Sequence, residues 1–280
     1  MTTSPSPPGP ERGEFVRTLT AAGRTLRAAV RPGTDSSVPP LLLMNGIGAS
    51  LEVLRPFVDA LDPRRTVVRF DVPGVGGSPR PVVPYNLTTF SPAVAGLLSR
   101  LGFDDPVDVL GLSWGGGLAQ HFAVQHRRRC RRLVLAATAT GSLMVPANPR
   151  VLARMLTPRR HRDPAYARSI AGEIYGGTMR TDPERAARAL HAGTRLGPRR
   201  GYYYQLAAST GWSSLPFLKL IRQPTLLVMG DDDPIVPLVN ARIMARLLPD
   251  ARLHVYQGGH IALITEAERL APVVEDFLDS

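Results

Sequence analysis

Three observations predict an α/β fold with a mostly parallel central sheet and a helical unit inserted between two of its strands. Short apolar runs alternate with helical patterns from Gly13 to Ala139. Several of those runs, such as Val107-Asp108-Val109-Leu110 and Leu133-Val134-Leu135-Ala136-Ala137, are almost continuously apolar, as strands covered on both faces must be. The stretch Gly141–Ile221 then breaks the alternation with an Arg-rich, Pro-containing pattern that has no clear strand. At roughly 80 residues it is too long for a plain loop between consecutive strands.

The elements follow in order. Glu14–Leu19 and Leu26–Arg31 read as two initial strands. Leu41–Asn45, Thr66–Val72, Val107–Leu112 and Leu133–Ala139 follow, separated by helical patterns at Leu51–Leu61, Thr89–Leu101 and Trp114–His126. After the insertion come a buried strand at Pro224–Met229, a helix at Leu238–Leu248, a strand at Arg252–Tyr256 and a closing helix at Glu266–Leu278. The expected organisation is a tail over 1–12, a core made of 13–140 and 222–280, and a helical cap over 141–221. No internal repeat is visible.

Composition bounds the function. With 280 residues, 44% hydrophobic and 20% charged, the chain can bury a sizeable core, which excludes disordered, collagen-like and disulfide-scaffold classes. The single cysteine, Cys130, cannot form an internal disulfide and reads as a small buried hydrophobe in a reducing compartment. The Pro-rich start has neither the basic region nor the apolar region of a secretory leader, and no window reaches the roughly 18–20 apolar residues of a membrane span. A cytoplasmic protein with no transmembrane segment is expected.

The net charge is +11, and Lys219 is the only lysine. The insertion holds 13 basic residues and four acidic ones, so it carries +9 of that total. Such a face suits an anionic partner or a solvated surface. No nucleic-acid reading motif accompanies it, so nucleic acid is not expected as a partner.

The chemistry concentrates at Gly111-Leu112-Ser113-Trp114-Gly115. This G-x-S-x-G lies between an expected buried strand and an expected helix, the setting of a nucleophile elbow. The turn projects the serine hydroxyl above the sheet, and the glycines leave room where strand and helix meet. A serine needs a base and an orienting acid at neutral pH, and an elbow of this kind places them in the chain order Ser, acid, His. The acid should follow the next core strand, where Asp231-Asp232-Asp233-Pro234 stands. Asp233 is the expected acid, with Asp231 and Asp232 as alternatives whose other role is capping or turn formation. The base should follow the last strand, where Gln257-Gly258-Gly259-His260 precedes the closing helix. Of the six histidines, only His260 has that placement. Asn45-Gly46-Ile47-Gly48 follows the strand at Leu41 and supplies an oxyanion loop, with the backbone N–H groups of Ile47 and Trp114 as the expected donors.

Other motifs fail. Asp71–Ser78 approaches a dinucleotide-binding pattern, but Pro79 stands where its last glycine is required. With one lysine there is no Walker A loop, and metal-ligand spacing is absent. No cofactor is expected.

These motifs resemble the α/β-hydrolase superfamily. From Leu41 onward the chain more closely resembles the intracellular medium-chain-length poly(3-hydroxyalkanoate) depolymerases. The matching stretches are Asn45–Ala49, Phe70–Ser78 and Ser113–Gly116. In the insertion they are Pro158–Arg160, Ile174–Gly177, Gly201–Tyr203 and Gly211–Trp212. Beyond it they are Ile221–Leu226 and Gly230–Pro234. Many hydrolases of this fold carry His where Asn45 stands, whereas the depolymerases carry Asn. The resemblance implies hydrolysis of a hydrophobic stored polyester through an acyl-serine intermediate and association with polymer granules. Tyr202, Tyr203, Tyr204, Trp212 and Phe217 are candidates for the substrate channel or for cap packing. The rival readings are a 3-hydroxyacyl thioesterase or transacylase, a small-ester or carbon–carbon bond hydrolase, and a non-catalytic granule-coat protein. Ser113 argues against an epoxide hydrolase or dehalogenase, which need a carboxylate at the elbow.

Overall fold

The structure, a computed structural model, describes residues 13–191 and 193–280; the tail expected over 1–12 lies outside the described residues. Eight strands form one sheet: β1 (Phe15–Ala21), β2 (Arg24–Arg31), β3 (Leu41–Met44), β4 (Val67–Phe70), β5 (Val107–Leu112), β6 (Cys130–Ala136), β7 (Thr225–Gly230) and β8 (Ala251–Tyr256). Their order is β1-β2-β4-β3-β5-β6-β7-β8. The β1–β2 and β2–β4 pairs are antiparallel and the remaining pairs parallel.

Each strand expected from the sequence is present, with ends moved by local backbone chemistry. β1 and β2 extend to Ala21 and Arg24 because a two-residue turn joins them, with Ala22 at φ 44° and Gly23 at φ 72°. Two positive φ values match the twist of a hairpin. β6 starts earlier, at Cys130, and stops at Ala136 rather than Ala139, because Ala137 takes φ 45° and turns the chain out of the sheet.

Both faces of the sheet are covered, which accounts for the unbroken apolar strands. Leu42, Met44, Val107 and Val109 face one layer, with Phe90 and Leu97 of α2 (Leu87–Arg100) and Leu118 and Phe122 of α3 (Trp114–Gln125). Leu41, Leu43, Leu110 and Leu112 face the other, with Phe57 of α1 (Arg55–Ala60) and residues near the C-terminus. Burying one such Leu or Phe contributes about 2 kcal/mol. α2 starts at Leu87, ahead of the expected Thr89, because Asn86 and Thr89 form a reciprocal capping box.

Between β6 and β7 the chain makes an all-helical excursion: α4 (Pro149–Met155), a 3₁₀ turn over Pro158–His161, α5 (Pro164–Tyr175), α6 (Pro183–His191) and α7 (Arg199–Ser209). A single antiparallel bridge, Gly141 to Ser213, closes its neck. The core resumes with α8 (Leu238–Leu247), α9 (Ala262–Thr265) and α10 (Ala267–Asp279). α10 supplies Leu270, Val274 and Phe277 to the second layer. Cys130 is buried, and burial pushes its thiol pKa up, as befits a packing residue. Among the described residues no helix is long and apolar enough to cross a membrane.

The strand order reverses between β3 and β5, the switch point at which open parallel sheets bind ligands. In the β3–β5 register Met44 sits beside Gly111, so the loop after β3 and the turn after β5 emerge side by side.

Candidate active site

Ser113 occupies the turn between β5 and α3 with φ 54° and ψ −116°. A non-glycine residue at that φ is strained by roughly 1–3 kcal/mol and needs its surroundings to hold it. They do. Ser113 N–H donates to the Ala136 carbonyl (2.9 Å), and its own carbonyl accepts from Gly116 N–H (2.9 Å) and Thr138 Oγ1 (2.7 Å). The serine stands at a helix N-cap, but its side chain makes no capping bond, so Oγ is directed elsewhere. The flanking glycines are steric requirements. A Cβ on Gly111 would lie 2.4 Å from the Gly115 carbonyl oxygen, and one on Gly115 would lie 2.1 Å from that of Met44.

Ser113 Oγ–H donates to Nε2 of His260 at 2.9 Å, and His260 Nδ1–H donates to Asp233 Oδ2 at 2.8 Å. The other carboxylate oxygen of Asp233 accepts the N–H groups of Ile235 and Val236, both at 2.9 Å. Those bonds fix the acid, the acid fixes the imidazole tautomer, and Nε2 is left as the acceptor for the serine proton. Asp233 and His260 are buried and Ser113 is half-buried.

The three consecutive aspartates do different work. Asp231 accepts Gly258 N–H (3.0 Å), bracing the loop that carries His260. Asp232 receives a two-pronged ion pair from Arg180 (2.7 Å each) and the N–H of Gly177 (2.7 Å), tying the excursion to the core. His260 N–H is tied to the excursion too, through the Tyr175 carbonyl at the end of α5 (2.8 Å). Three other histidines lie elsewhere: His121 receives a hydrogen bond from the Trp212 indole N–H, His126 packs on Phe122, and His254 stacks on Tyr256.

The loop after β3 is clamped by its asparagine. Asn45 Nδ2 donates to the Ser50 carbonyl, and its Oδ1 accepts Gly46 N–H, both at 2.8 Å. Ile47 lines the cavity at Ser113, and Trp114 follows the serine as the first residue of α3, where backbone N–H groups have no helical partner. Asp71, fully buried, backs this loop. It accepts Arg27 Nη1 (2.9 Å), Leu51 N–H (2.7 Å) and Gly77 N–H (2.7 Å). The glycine-rich stretch after β4 is thus wrapped around a carboxylate of its own.

A small cavity opens on Ser113 and His260. Its walls are largely apolar, including Val53, Leu112, Met155, Leu190 and Ile264. The excursion also contributes Arg160, His161 and Tyr175. The sequence singled out neither Arg160 nor His161 as a site residue; an adjacent Arg-His pair in an Arg-rich segment carries no local signal. The aromatic residues expected along a channel are not in this lining. Tyr202 is buried beside it, its hydroxyl bonded to Arg160 and to the Met155 carbonyl. Tyr203 is exposed, Tyr204 packs on the first core layer, and Trp212 and Phe217 form an aromatic cluster with His121 over α3. Among the described residues no group of His, Cys, Asp or Glu is placed to hold a metal ion.

Residues 39–267 match the alpha/beta hydrolase fold family. The chain is 49% identical over 263 residues to a poly(3-hydroxyalkanoate) depolymerase of Ectopseudomonas oleovorans, covering 94% of this chain and 92% of that one. It is 31% identical to a 2-hydroxymuconate semialdehyde hydrolase of Pseudomonas putida, covering 76% and 77%. Among solved structures, the enol-lactonase of Burkholderia xenovorans LB400 superposes with a TM-score of 0.80 at 24% identity, over 94% of this chain and all of that one. The last comparison speaks to fold alone.

Proposed function

This chain belongs to the α/β-hydrolase family, as a homologue of the poly(3-hydroxyalkanoate) depolymerases, and from that premise we propose that it cleaves the ester bonds of a poly(3-hydroxyalkanoate). The observation that carries the reading is the unbroken row Ser113–His260–Asp233, at 2.9 and 2.8 Å, in a chain 49% identical to such an enzyme. In this reading Ser113 Oγ attacks the ester carbonyl as His260 Nε2 takes its proton. Asp233 stabilises the imidazolium. The N–H groups of Ile47 and Trp114 bind the oxyanion of the tetrahedral intermediate. The hydroxyl-ended fragment leaves with the proton from His260, and water activated by the same imidazole releases the acid from Ser113.

We read 141–221 as a cap on a core made of 13–140 and 222–280. The support is the neck at Gly141–Ser213 and the reach of Met155, Arg160 and Tyr175 into the cavity. The proposed setting is cytoplasmic, at the surface of polymer granules.

A small-ester hydrolase is the second reading, favoured by the small size of the cavity at Ser113. The test is acid release from amorphous medium-chain polyhydroxyalkanoate granules, wild type beside Ser113→Ala. Release of 3-hydroxy acids by the wild type alone supports the polyester reading. Cleavage of p-nitrophenyl octanoate without release from granules contradicts it and leaves the small ester.

A further inference from the structure

Three buried arginines of the core, Arg27, Arg65 and Arg69, meet carboxylates. Arg27 pairs with Asp71 and Glu52, Arg65 with Asp108 and Glu275, and Arg69 with Glu14. Arg160 does not. It is only 2% exposed and lines the cavity at Ser113, and no Asp or Glu pairs with it among the described residues. Its nearest polar company is neutral. Nη1 donates to the Tyr202 hydroxyl (2.8 Å) and, at longer range, to the Thr157 carbonyl (3.4 Å), and the guanidinium lies 5.4 Å from the centre of the Tyr202 ring. Burial keeps both Tyr202 and Tyr175 protonated by pushing their pKa values up. A guanidinium stays charged in any protein environment, so this is a buried cation without a counter-charge.

Polar groups without partners gather around it. Arg160 Nε, the Tyr175 hydroxyl and both ring nitrogens of His161 are buried and make no hydrogen bond of good geometry, although the Tyr175 hydroxyl still interacts with Arg160 and the His161 ring with the Ile47 carbonyl. His161 is 5% exposed and shares the cavity lining. Burial first, and then the charge of Arg160, hold the imidazole well below its ordinary pKa, while the Ile47 carbonyl acts the other way. His161 is therefore a neutral donor. Buried polar atoms are satisfied in nearly all native proteins, and this cluster, short of well-aligned partners, sits in the wall of the cavity at Ser113, where a polar ligand would complete it.

We propose that Arg160, with His161 and Tyr175, is a carboxylate-binding subsite, and that the preferred substrate is an ester carrying a free carboxylate close to the scissile bond. This rests on the ester-hydrolase reading of Ser113 and gives it a substrate class. In a chain of 3-hydroxyacyl units, the terminal ester has a carboxylate two carbons beyond its alkoxy oxygen. The subsite would thus select the acid end of the polymer or a short soluble oligomer.

The test compares one substrate with and without its charge. Ser113→Ala is titrated calorimetrically with the 3-hydroxyoctanoate dimer as free acid and as methyl ester. A hydrogen-bonded charge pair in such a site is worth about tenfold or more in affinity, so the acid should bind at least that much tighter. Adding Arg160→Met should abolish the advantage, and Arg160→Lys should restore part of it. In the Ser113 enzyme, the ratio of kcat/KM for acid over methyl ester should follow the same pattern, a ratio from which general loss of activity cancels. Equal binding of acid and ester, no binding of the acid, or an advantage that survives Arg160→Met overturns the proposal. If the acid dimer is bound and cleaved with this preference while granules are untouched, the polyester reading fails and the subsite stands. Granules with methyl-esterified chain ends separate the two sources. Slower release identifies the polymer end as the ligand, and unchanged release identifies soluble oligomers.

Discussion

Replacing Gly115 by alanine should damage the site through the backbone alone. The new Cβ would lie 2.1 Å from the Met44 carbonyl oxygen and 2.6 Å from that of Asn45, both main-chain atoms at the end of β3. Relief requires the turn after β5 to part from the loop after β3 by about 1 Å, since ordinary carbon contacts are roughly 3.5 Å. Overpacking of this kind costs about 1–3 kcal/mol. In a chain of this size that lowers Tm by about 2–12 °C. The catalytic cost is larger in proportion, because the two sides that separate carry different parts of the proposed machinery. Ser113 and the Trp114 N–H lie on one side and the Ile47 N–H on the other. A misplacement near 1 Å costs about 10²-fold, and losing one oxyanion donor about 10²–10³-fold. The assay is kcat for p-nitrophenyl octanoate beside a thermal melt. Gly46→Ala is the control, because its Cβ would meet nothing nearer than Ser113 Cβ at 3.7 Å, and it should melt with the wild type. A Gly115→Ala enzyme within about threefold of wild-type kcat and about 1 °C of its Tm would refute the reasoning.

Asp233→Asn should fold normally, because the amide oxygen can still accept the Ile235 and Val236 N–H groups; its NH₂ then imposes the wrong imidazole tautomer, so kcat should fall by about 10⁴ with little change in KM, and a fall below tenfold would count against the assigned role. Asp71→Asn removes the charge opposite Arg27 and turns an amide NH₂ toward either the Leu51 N–H or the Arg27 and Gly77 donors; a loss of about 3 kcal/mol, or roughly 6–12 °C in Tm, is expected in a melt, and under 1 kcal/mol would show the cluster to be dispensable. The Arg180 fork, followed by the Gly177 N–H, holds the Asp232 carboxyl below its usual range. Its stabilisation is therefore present above the unfolded carboxylate value and lost as pH falls through the folded one. The pair is half-exposed, so the effect is roughly 0.5 kcal/mol, and Asp232→Asn should narrow the difference between urea midpoints at pH 7 and pH 2. An unchanged difference would mean that the latch contributes nothing.

The strand-turn-helix at Ser113 was legible because its signal is contiguous: a buried run, a serine between glycines, and a helix. Asp233 and His260 were legible through chain order, since each must follow a particular strand. Asp231 and Asp232 stood as alternatives to Asp233, because the partners that tell the three apart, Gly258, Arg180 and His260, are remote in sequence or loop-borne. Strand ends moved where Ala22, Gly23 and Ala137 take positive φ, a property that alanine does not advertise. The cavity wall was the least legible. A 3₁₀ turn at Pro158–His161 meets the loop at Ile47 across more than a hundred residues, and its Arg and His resemble the surface charges around them until the fold buries them. The aromatic run Tyr202–Tyr204 was the more conspicuous feature and lies outside the cavity lining.

The central claim is that hydrolysis passes through an ester on Ser113. The most direct measurement is acid-quenched mass spectrometry of the enzyme during turnover of the 3-hydroxyoctanoate dimer, with peptide mapping. The account requires a mass gain of one 3-hydroxyacyl unit on the peptide bearing Ser113, and neither gain nor turnover in Ser113→Ala. Turnover that persists in Ser113→Ala, or an acyl group carried on another residue, would contradict it.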